Sequence, residues 1–142
     1  MKSIKQLIIN KFNRFSFVLL ILTAPGVSGQ INPEESRVFN VSADEFYTLI
    51  NAVNGNIIDV RTLDEYNSGH IENAMLIDYY RGDLQHRLDS LDKSVPVLIY
   101  CRSGNRSATA TNIMEFLGFR LIYNLENGII SWKEANFELI TE

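Results

Sequence analysis

Residues 97–107, VLIYCRSGNRS, are the stretch that decides the fold of this chain. Residues 97–100 form a short apolar run introduced by Pro96, and their length and composition predict a strand buried on both faces. A polar loop follows at once. The segment 107–117 then places apolar residues at helical spacing and ends before Gly118. We therefore expect a strand, a tight loop and a helix, the repeating unit of a parallel sheet.

The rest of the chain alternates short apolar runs with helical patterns. Capping boxes at residues 42–45 and 62–65 mark the starts of two helices. The first predicted helix has the apolar face Phe46, Leu49, Ile50 and Val53, and a strand at 56–60 and a short helix closed by Gly69 follow it. Next come a strand at 74–77 and a helix that carries Leu84, Leu88 and Leu91. After the strand and helix already described, the chain ends with a strand at 121–123 and a helix at 129–135. This pattern predicts an α/β fold with a central, mostly parallel sheet and helices on both faces. Ligands of such sheets bind beyond the carboxyl ends of strands, where Cys101 lies.

The first 29 residues have the organisation of a secretory signal peptide. The segment 1–14 is basic and contains no acid, residues 15–24 are nearly all apolar, and a Pro-Gly pair and small residues precede Gln30. Because ten apolar residues are fewer than the ~20 that span a bilayer as a helix, we expect cleavage before Gln30 rather than a retained anchor. Residues 30–37 are then a polar lead-in, and residues 38–142 form the domain.

Removal of the signal peptide makes the protein strongly acidic. The full chain has a net charge of −4, and loss of four basic residues lowers it to about −8. The four residues are Lys2, Lys5, Lys11 and Arg14. Such a domain is a poor partner for nucleic acid or an anionic membrane. From the signal-peptide pattern we expect a periplasmic or secreted protein without stable membrane insertion after cleavage. The segment 105–107 matches a glycosylation sequon within the polar loop, which is either chance or an indication of a bacterial host.

Cys101 is the single cysteine and cannot form a disulfide within the chain. Because an exported protein meets oxidising conditions, an unpaired thiol there indicates a reactive role. Gly104 and Asn105 tolerate positive φ, so the backbone amides of the loop can point inward and hold an anion. The following helix directs its positive end at the same place, and Arg102 and Arg106 add two positive charges. These features favour a thiolate, because such surroundings lower a cysteine pKa from about 8.5 to ~3.5–7.5. The predicted site consists of the nucleophile Cys101 and the anion-binding residues Arg102, Ser103, Gly104, Asn105 and Arg106.

A thiolate held in this way can accept a sulfur atom and pass it on. It attacks the outer sulfur of a donor such as thiosulfate, and sulfite leaves. The resulting persulfide is an anion that the same amides can hold, and a second nucleophile then takes the sulfur. The loop therefore predicts covalent catalysis in two steps.

Three motifs give the chain a resemblance to the rhodanese family. Residues 101–107 resemble the active-site loop of rhodanese domains, and residues 58–74 contain Asp-Val-Arg, Glu-Tyr, Gly-His-Ile and Ala in the order of the family's upstream signature. Residues 127–132 resemble its closing Gly-Gly-Ile and Trp, with Asn in place of the first Gly. The resemblance implies the rhodanese fold, a sulfur-carrying role for Cys101 and an anion-cradling role for residues 102–106. It also implies thiosulfate and cyanide as assay substrates, and a small thiol or a thioredoxin-like protein is an equal candidate for the acceptor.

Residues outside the loop are interpreted as structural. Asp59 and Arg61 are expected to form an ion pair beneath the loop, and His70 to make hydrogen bonds after a Gly turn. His86 is expected to be solvated on a helix, and Trp132 to lie in the core. Two His far apart in sequence do not indicate a metal site, so we expect no metal and no other cofactor.

Two other functions are open at this point. A cysteine phosphatase also holds a thiolate in a loop of amides, but with Arg six residues after the Cys, whereas Arg106 is five residues on and the loop is one residue shorter. Tyr100 also stands where those enzymes place His. A non-catalytic module that carries sulfur, binds a partner or senses oxidant would have the same loop. The complete loop around Cys101 favours turnover, and nothing in the sequence requires more than a monomer.

Overall fold

The computed structural model describes residues 35–141, so the predicted signal peptide (1–29) and most of the polar lead-in lie outside the described residues. These residues form a five-stranded sheet in the order β1-β5-β4-β2-β3, with every pair of neighbours parallel. The strands are β1 (Arg37–Val41), β2 (Asn56–Asp59), β3 (Met75–Leu76), β4 (Val97–Tyr100) and β5 (Leu121–Leu125). The helices are α1 (Ala43–Ala52), α2 (Leu63–Asn67), α3 (Leu84–Asp89), α4 (Asn105–Phe116) and α5 (Gly128–Glu134). No helix in the described range is long and apolar enough to cross a membrane.

Helices cover both faces of the sheet, which confirms the predicted α/β architecture. On one face α3 and α4 pack through residues such as Leu88 and Met114 against Ile99 of β4. On the other face α1 and α5 contribute Phe46 and Trp132, whose ring centroids are 6.2 Å apart. All four residues of β4 are fully buried. Because burying each large apolar side chain contributes about 1.5–3 kcal/mol, the central strand is a main source of stability.

The first two helices begin at the predicted capping boxes. The Ser42 hydroxyl accepts a hydrogen bond from the Glu45 amide at 3.4 Å, and the Glu45 carboxylate accepts one from the Ser42 amide at 2.9 Å. Thr62 and Glu65 repeat the arrangement at the start of α2, at 3.3 and 3.0 Å. Each box satisfies amides that would otherwise lack partners at a helix start.

Two features of the structure differ from the sequence prediction. Strand β1 is not expected from the pattern, because the polar residues Arg37 and Asn40 leave no apolar run of strand length. Both are exposed, as is Phe39, since β1 lies at the edge of the sheet. The strand instead gains its stability from pairing along its whole length with β5. Helix α4 begins at Asn105, two residues before the expected start, because Gly104 serves as its N-cap with a φ of 95°.

Candidate active site

Cys101 lies at the carboxyl end of the central strand β4, directly before the loop that leads into α4. Strands β5 and β2 pair with β4 on its two sides, so the loops that follow three strands meet around this residue. The cysteine is only 1% exposed. The parallel sheet therefore places the thiol where such folds bind their ligands, as the sequence predicts.

Hydrogen-bond donors from the loop and from α4 point at the sulfur. The Gly104 amide donates to Sγ of Cys101 at 3.1 Å, and the Ser107 hydroxyl lies 3.5 Å from the same atom. Burial alone would raise the pKa of the Cys101 thiol. Hydrogen bonds from the Ser107 hydroxyl and from the amides of Ser107, Ser103 and Gly104 outweigh burial and hold this pKa below its ordinary value. The donors therefore stabilise the thiolate relative to the thiol.

The start of α5 supports the loop by binding two of its backbone carbonyl groups. The Ile129 amide donates to the Cys101 carbonyl at 2.9 Å, and the Ile130 amide donates to the Arg102 carbonyl at 3.3 Å. Gly128 has a φ of 56°, and a Cβ at this position would overlap the Cys101 carbonyl oxygen. The amides of α5 thus bind the carbonyl groups of Cys101 and Arg102. The amides of the next two residues, Ser103 and Gly104, donate to the sulfur.

The sequence allows a positive φ at both Gly104 and Asn105, but of these two residues only Gly104 adopts it. Asn105 is instead the exposed first residue of α4, so the expectation that it contributes a positive φ to the loop is wrong. Ser103 contributes its amide while its side chain is exposed, and Arg102 is also exposed. The cradle around the sulfur is therefore built from backbone amides and one hydroxyl rather than from the loop's side chains.

Arg106 lies beside the loop, but its charge is shared with a carboxylate. Its two terminal nitrogens donate to the two oxygens of Glu65 at 2.7 Å each. The guanidinium carbon also lies 5.6 Å from the ring centroid of Tyr80. The hydrogen bond from Arg106 is the main reason that the pKa of Glu65 falls to about 2, and the same bond raises the pKa of Arg106. The sequence predicts that Arg106 adds a second full positive charge to the loop. Because Glu65 binds its guanidinium, that full charge is not available to a bound anion.

Asp59 and Arg61 form the expected ion pair, with Nη2 of Arg61 2.6 Å from Oδ2 of Asp59 and both side chains buried. Arg61 also donates to the Gly69 carbonyl at 2.8 Å, and its guanidinium carbon lies 5.6 Å from the Tyr100 ring centroid. The Tyr100 hydroxyl in turn accepts from the Ile71 amide at 3.1 Å. The pair thus fixes the turn at residues 69–71 against the residue that precedes the nucleophile.

The remaining candidates have structural roles, as expected. His70 is buried, its Nδ1 lies 3.1 Å from the Tyr66 carbonyl, and its ring stacks on Tyr66. His86 is exposed on α3, and Trp132 is buried and donates to a carbonyl at 2.9 Å. Within residues 35–141, no group of three or more His, Cys, Asp or Glu side chains could hold a metal ion.

Three residues of the site do not follow from the sequence reasoning. Ser107 is expected only as a helix start, although a hydroxyl six residues after the Cys, within the loop motif, is a signal that could have indicated it. Glu65 is expected as a capping residue and as part of the family's upstream signature, but its bond to Arg106 is not expected, because the two residues are 41 positions apart. Gly128 is part of a family motif, but its contact with the back of the loop requires the fold.

Known proteins resemble this chain in sequence. The family model described as Rhodanese-like domain matches residues 42–135. A protein of Shewanella oneidensis named thiosulfate sulfurtransferase GlpE is 28% identical over 97 residues, covering 68% of this chain and 94% of that protein. A protein of Buchnera aphidicola named tRNA uridine(34) hydroxylase is 32% identical over 105 residues, covering 71% of this chain and 32% of that protein. The match to this chain thus spans about a third of the length of that hydroxylase.

Solved structures also have this architecture. A rhodanese-related protein from Thermoplasma volcanium has a TM-score of 0.66 at 30% identity, covering 73% of this chain and 99% of that one. A rhodanese-like domain protein from Staphylococcus aureus has a TM-score of 0.63 at 28% identity, covering 73% of this chain and 98% of that one. The described part of the chain therefore corresponds to these proteins over nearly their whole length.

Proposed function

This chain belongs to the family of rhodanese-like domains, and we propose that it is a sulfurtransferase that moves a sulfur atom from a donor such as thiosulfate to a thiophilic acceptor. The sulfur is carried as a persulfide on Cys101. One observation carries the proposal: a buried Sγ at the end of β4 accepts hydrogen bonds from the Gly104 amide and the Ser107 hydroxyl. These donors favour negative charge on sulfur, which the nucleophile and the persulfide both require.

In the first half-reaction the Cys101 thiolate attacks the outer sulfur of thiosulfate. A bond forms between the two sulfur atoms, the sulfur–sulfur bond within thiosulfate breaks, and sulfite leaves with the electron pair. Sulfite is a stable anion, so its departure needs no general acid. The persulfide that remains is negatively charged on its outer sulfur, and the loop amides are the donors available to it.

In the second half-reaction cyanide, or the thiolate of an acceptor, attacks the outer sulfur of the persulfide. The bond between the two sulfur atoms breaks, and its electron pair returns to Cys101 as a thiolate. Thiocyanate leaves when cyanide is the acceptor. A thiol of low pKa is the better leaving group, so the donors that lower the pKa of Cys101 assist this half-reaction as well.

The relatives support sulfur transfer more than hydroxylation. The match to thiosulfate sulfurtransferase GlpE covers 94% of that protein, whereas the match to the tRNA uridine(34) hydroxylase covers 32% of it. The position of Arg106 argues against a phosphatase, because Glu65 already binds both of its terminal nitrogens. A non-catalytic module with the same loop, which carries sulfur, binds a partner or senses oxidant, is the remaining alternative.

Mass spectrometry tests the proposal. After incubation with thiosulfate the protein should gain one sulfur atom, and later addition of cyanide should release thiocyanate and restore the original mass. Cys101→Ser should do neither. A persulfide that neither cyanide nor a small thiol removes would support a carrier instead, and phosphate release from an aryl phosphate would support a phosphatase.

We also propose that the protein acts outside the cytoplasm of a bacterium, as a monomer that transfers sulfur to a small thiol or a thioredoxin-like protein. The basic and apolar pattern of residues 1–29 supports export. Sequencing the amino terminus of protein from its native host should give Gln30 as the first residue. Recovery of Met1 would contradict the proposed cleavage.

A further inference from the structure

Glu65 connects two helices that border the active-site loop. Its carboxylate closes the capping box of α2 by accepting from the Thr62 amide at 3.0 Å. The same carboxylate binds both terminal nitrogens of Arg106, the second residue of α4, at 2.7 Å each. Capping is satisfied by either Glu or Gln at this position. The two-pronged bond to a guanidinium is a separate interaction, and a carboxylate is the group that matches its geometry.

We propose that Glu65 is a positioning residue that cancels the charge of Arg106 beside the reactive sulfur, so that the loop amides and the Ser107 hydroxyl, rather than a cation, hold the anionic sulfur. The inference rests on the proposed role of Cys101 as the sulfur carrier. A free cation would stabilise the thiolate further, but a thiolate of lower pKa is a weaker nucleophile. Glu65 therefore keeps the sulfur both ionised and reactive.

Arg106 is next in the chain to a residue that contacts the sulfur. It directly precedes Ser107, whose hydroxyl lies 3.5 Å from Sγ of Cys101. The guanidinium is held between the Glu65 carboxylate and the Tyr80 ring, and its side chain is only 16% exposed. After the bond to Glu65 and the effect of burial, the negative charge of Cys101 is a further cause of the raised pKa of Arg106. Water thus screens the pair only in part.

Other charged or titratable groups also surround the loop. They are Arg102 on the loop itself, Asp59 at the end of β2 with its partner Arg61, Tyr80 after β3 and Glu126 after β5. Two of them also interact with the Glu65–Arg106 pair, since the Tyr80 ring lies beside Arg106 and the charge of Glu65 is one cause of the raised pKa of Arg61. The double variant contains both single changes, so comparison of the three variants below measures the coupling between Glu65 and Arg106.

Glu65→Gln tests the proposal, because Gln keeps the capping box and the size of the side chain but removes the charge. The pKa of the Cys101 thiol should then fall by about half a unit to one unit. That is at or below the low end of the shifts of about 1–3 units that an adjacent opposite charge produces, because the pair is partly exposed. Arg106→Gln should raise this pKa, since the Glu65 charge then acts on the sulfur uncompensated. The double variant should return it to near the wild-type value, the result that marks a neutralising pair.

The pKa is read from the ultraviolet absorbance of the thiolate as a function of pH, with the matching Cys101→Ser protein as the blank. Cys101 is the single cysteine, so the signal belongs to one group. The measurement needs no sulfur transfer, so it succeeds or fails independently of the proposed activity.

Glu45→Gln is the matched control for this titration, because Glu45 closes the other capping box with the same geometry at the start of α1. It should leave the pKa of the Cys101 thiol unchanged. A Glu65→Gln variant whose thiol pKa is unchanged or higher would overturn the proposal. An equal fall in Glu45→Gln, or a double variant that keeps the shift of either single variant, would also overturn it.

Discussion

Replacing Gly128 with alanine tests whether the start of α5 supports the active-site loop. Gly128 has a φ of 56°, and an added Cβ would overlap the Cys101 carbonyl oxygen and lie 2.7 Å from the carbonyl carbon of Arg102. The positive φ costs alanine about 1–2 kcal/mol. Displacement of the loop adds a cost of about 1–3 kcal/mol. Chemical denaturation should therefore show a loss of about 2–5 kcal/mol in the free energy of unfolding.

Gly118→Ala is the control for this variant. Gly118 has a φ of 87°, but no atom lies within 4 Å of an added Cβ, so the substitution carries the backbone cost without the overlap. It should lose about 1–2 kcal/mol of stability and keep the wild-type rate of sulfur transfer. Gly128→Ala should also lose about 10²-fold in that rate, the effect of moving a reacting group by about 1 Å. Equal losses of stability and of rate in the two variants would refute the reasoning.

Three further substitutions test other contacts of the site. Ser107→Ala should raise the pKa of the Cys101 thiol by about half a unit to one unit, because it removes a long hydrogen bond to a charged group. Ser103→Ala leaves the backbone amide in place and should not change the pKa of the Cys101 thiol. An equal shift of this pKa in the Ser107→Ala and Ser103→Ala proteins would contradict the role of the Ser107 hydroxyl. The pKa of Glu65 is lowered from 4.5 to about 2, so its ion pair stabilises the fold above pH 4.5 and this contribution disappears as the pH falls towards 2. Thermal denaturation of Glu65→Gln should show a deficit of about 1 kcal/mol at neutral pH that vanishes in acid, and a deficit independent of pH would count against the ion pair. Arg61→Met leaves the buried Asp59 carboxylate unpaired and should cost about 3–5 kcal/mol in chemical denaturation, where a loss below about 1 kcal/mol would disprove the structural role of the pair.

The parts of the fold that the sequence predicts depend on residues close together in the chain. The buried run at 97–100 and the two capping boxes each involve neighbours within four positions, and all of them occur as expected. The nucleophile follows from the same local pattern, because a parallel sheet places the residue after a central strand at its ligand-binding edge. Local pattern thus determines the class of fold and the position of Cys101.

The parts that the sequence does not predict depend on contacts between distant residues. Strand β1 is exposed along most of its length and has no continuous apolar run, so its pairing with β5 is what makes it a strand. Glu65 and Arg106 are 41 residues apart, and nothing near either residue indicates the other. The hydrogen bond from Asn124 to Asn40 spans 84 residues. Such pairs become visible only when the order of the strands is known.

The most direct test of the account is a titration of the Cys101 thiol in the wild-type protein, followed by the absorbance of the thiolate. We expect half of the thiol to be ionised at a pH clearly below about 8.5, the ordinary pKa of cysteine, because the hydrogen bonds to Sγ outweigh the effect of burial. A midpoint at or above that value would mean that the amides and the Ser107 hydroxyl do not hold negative sulfur, and would contradict the account.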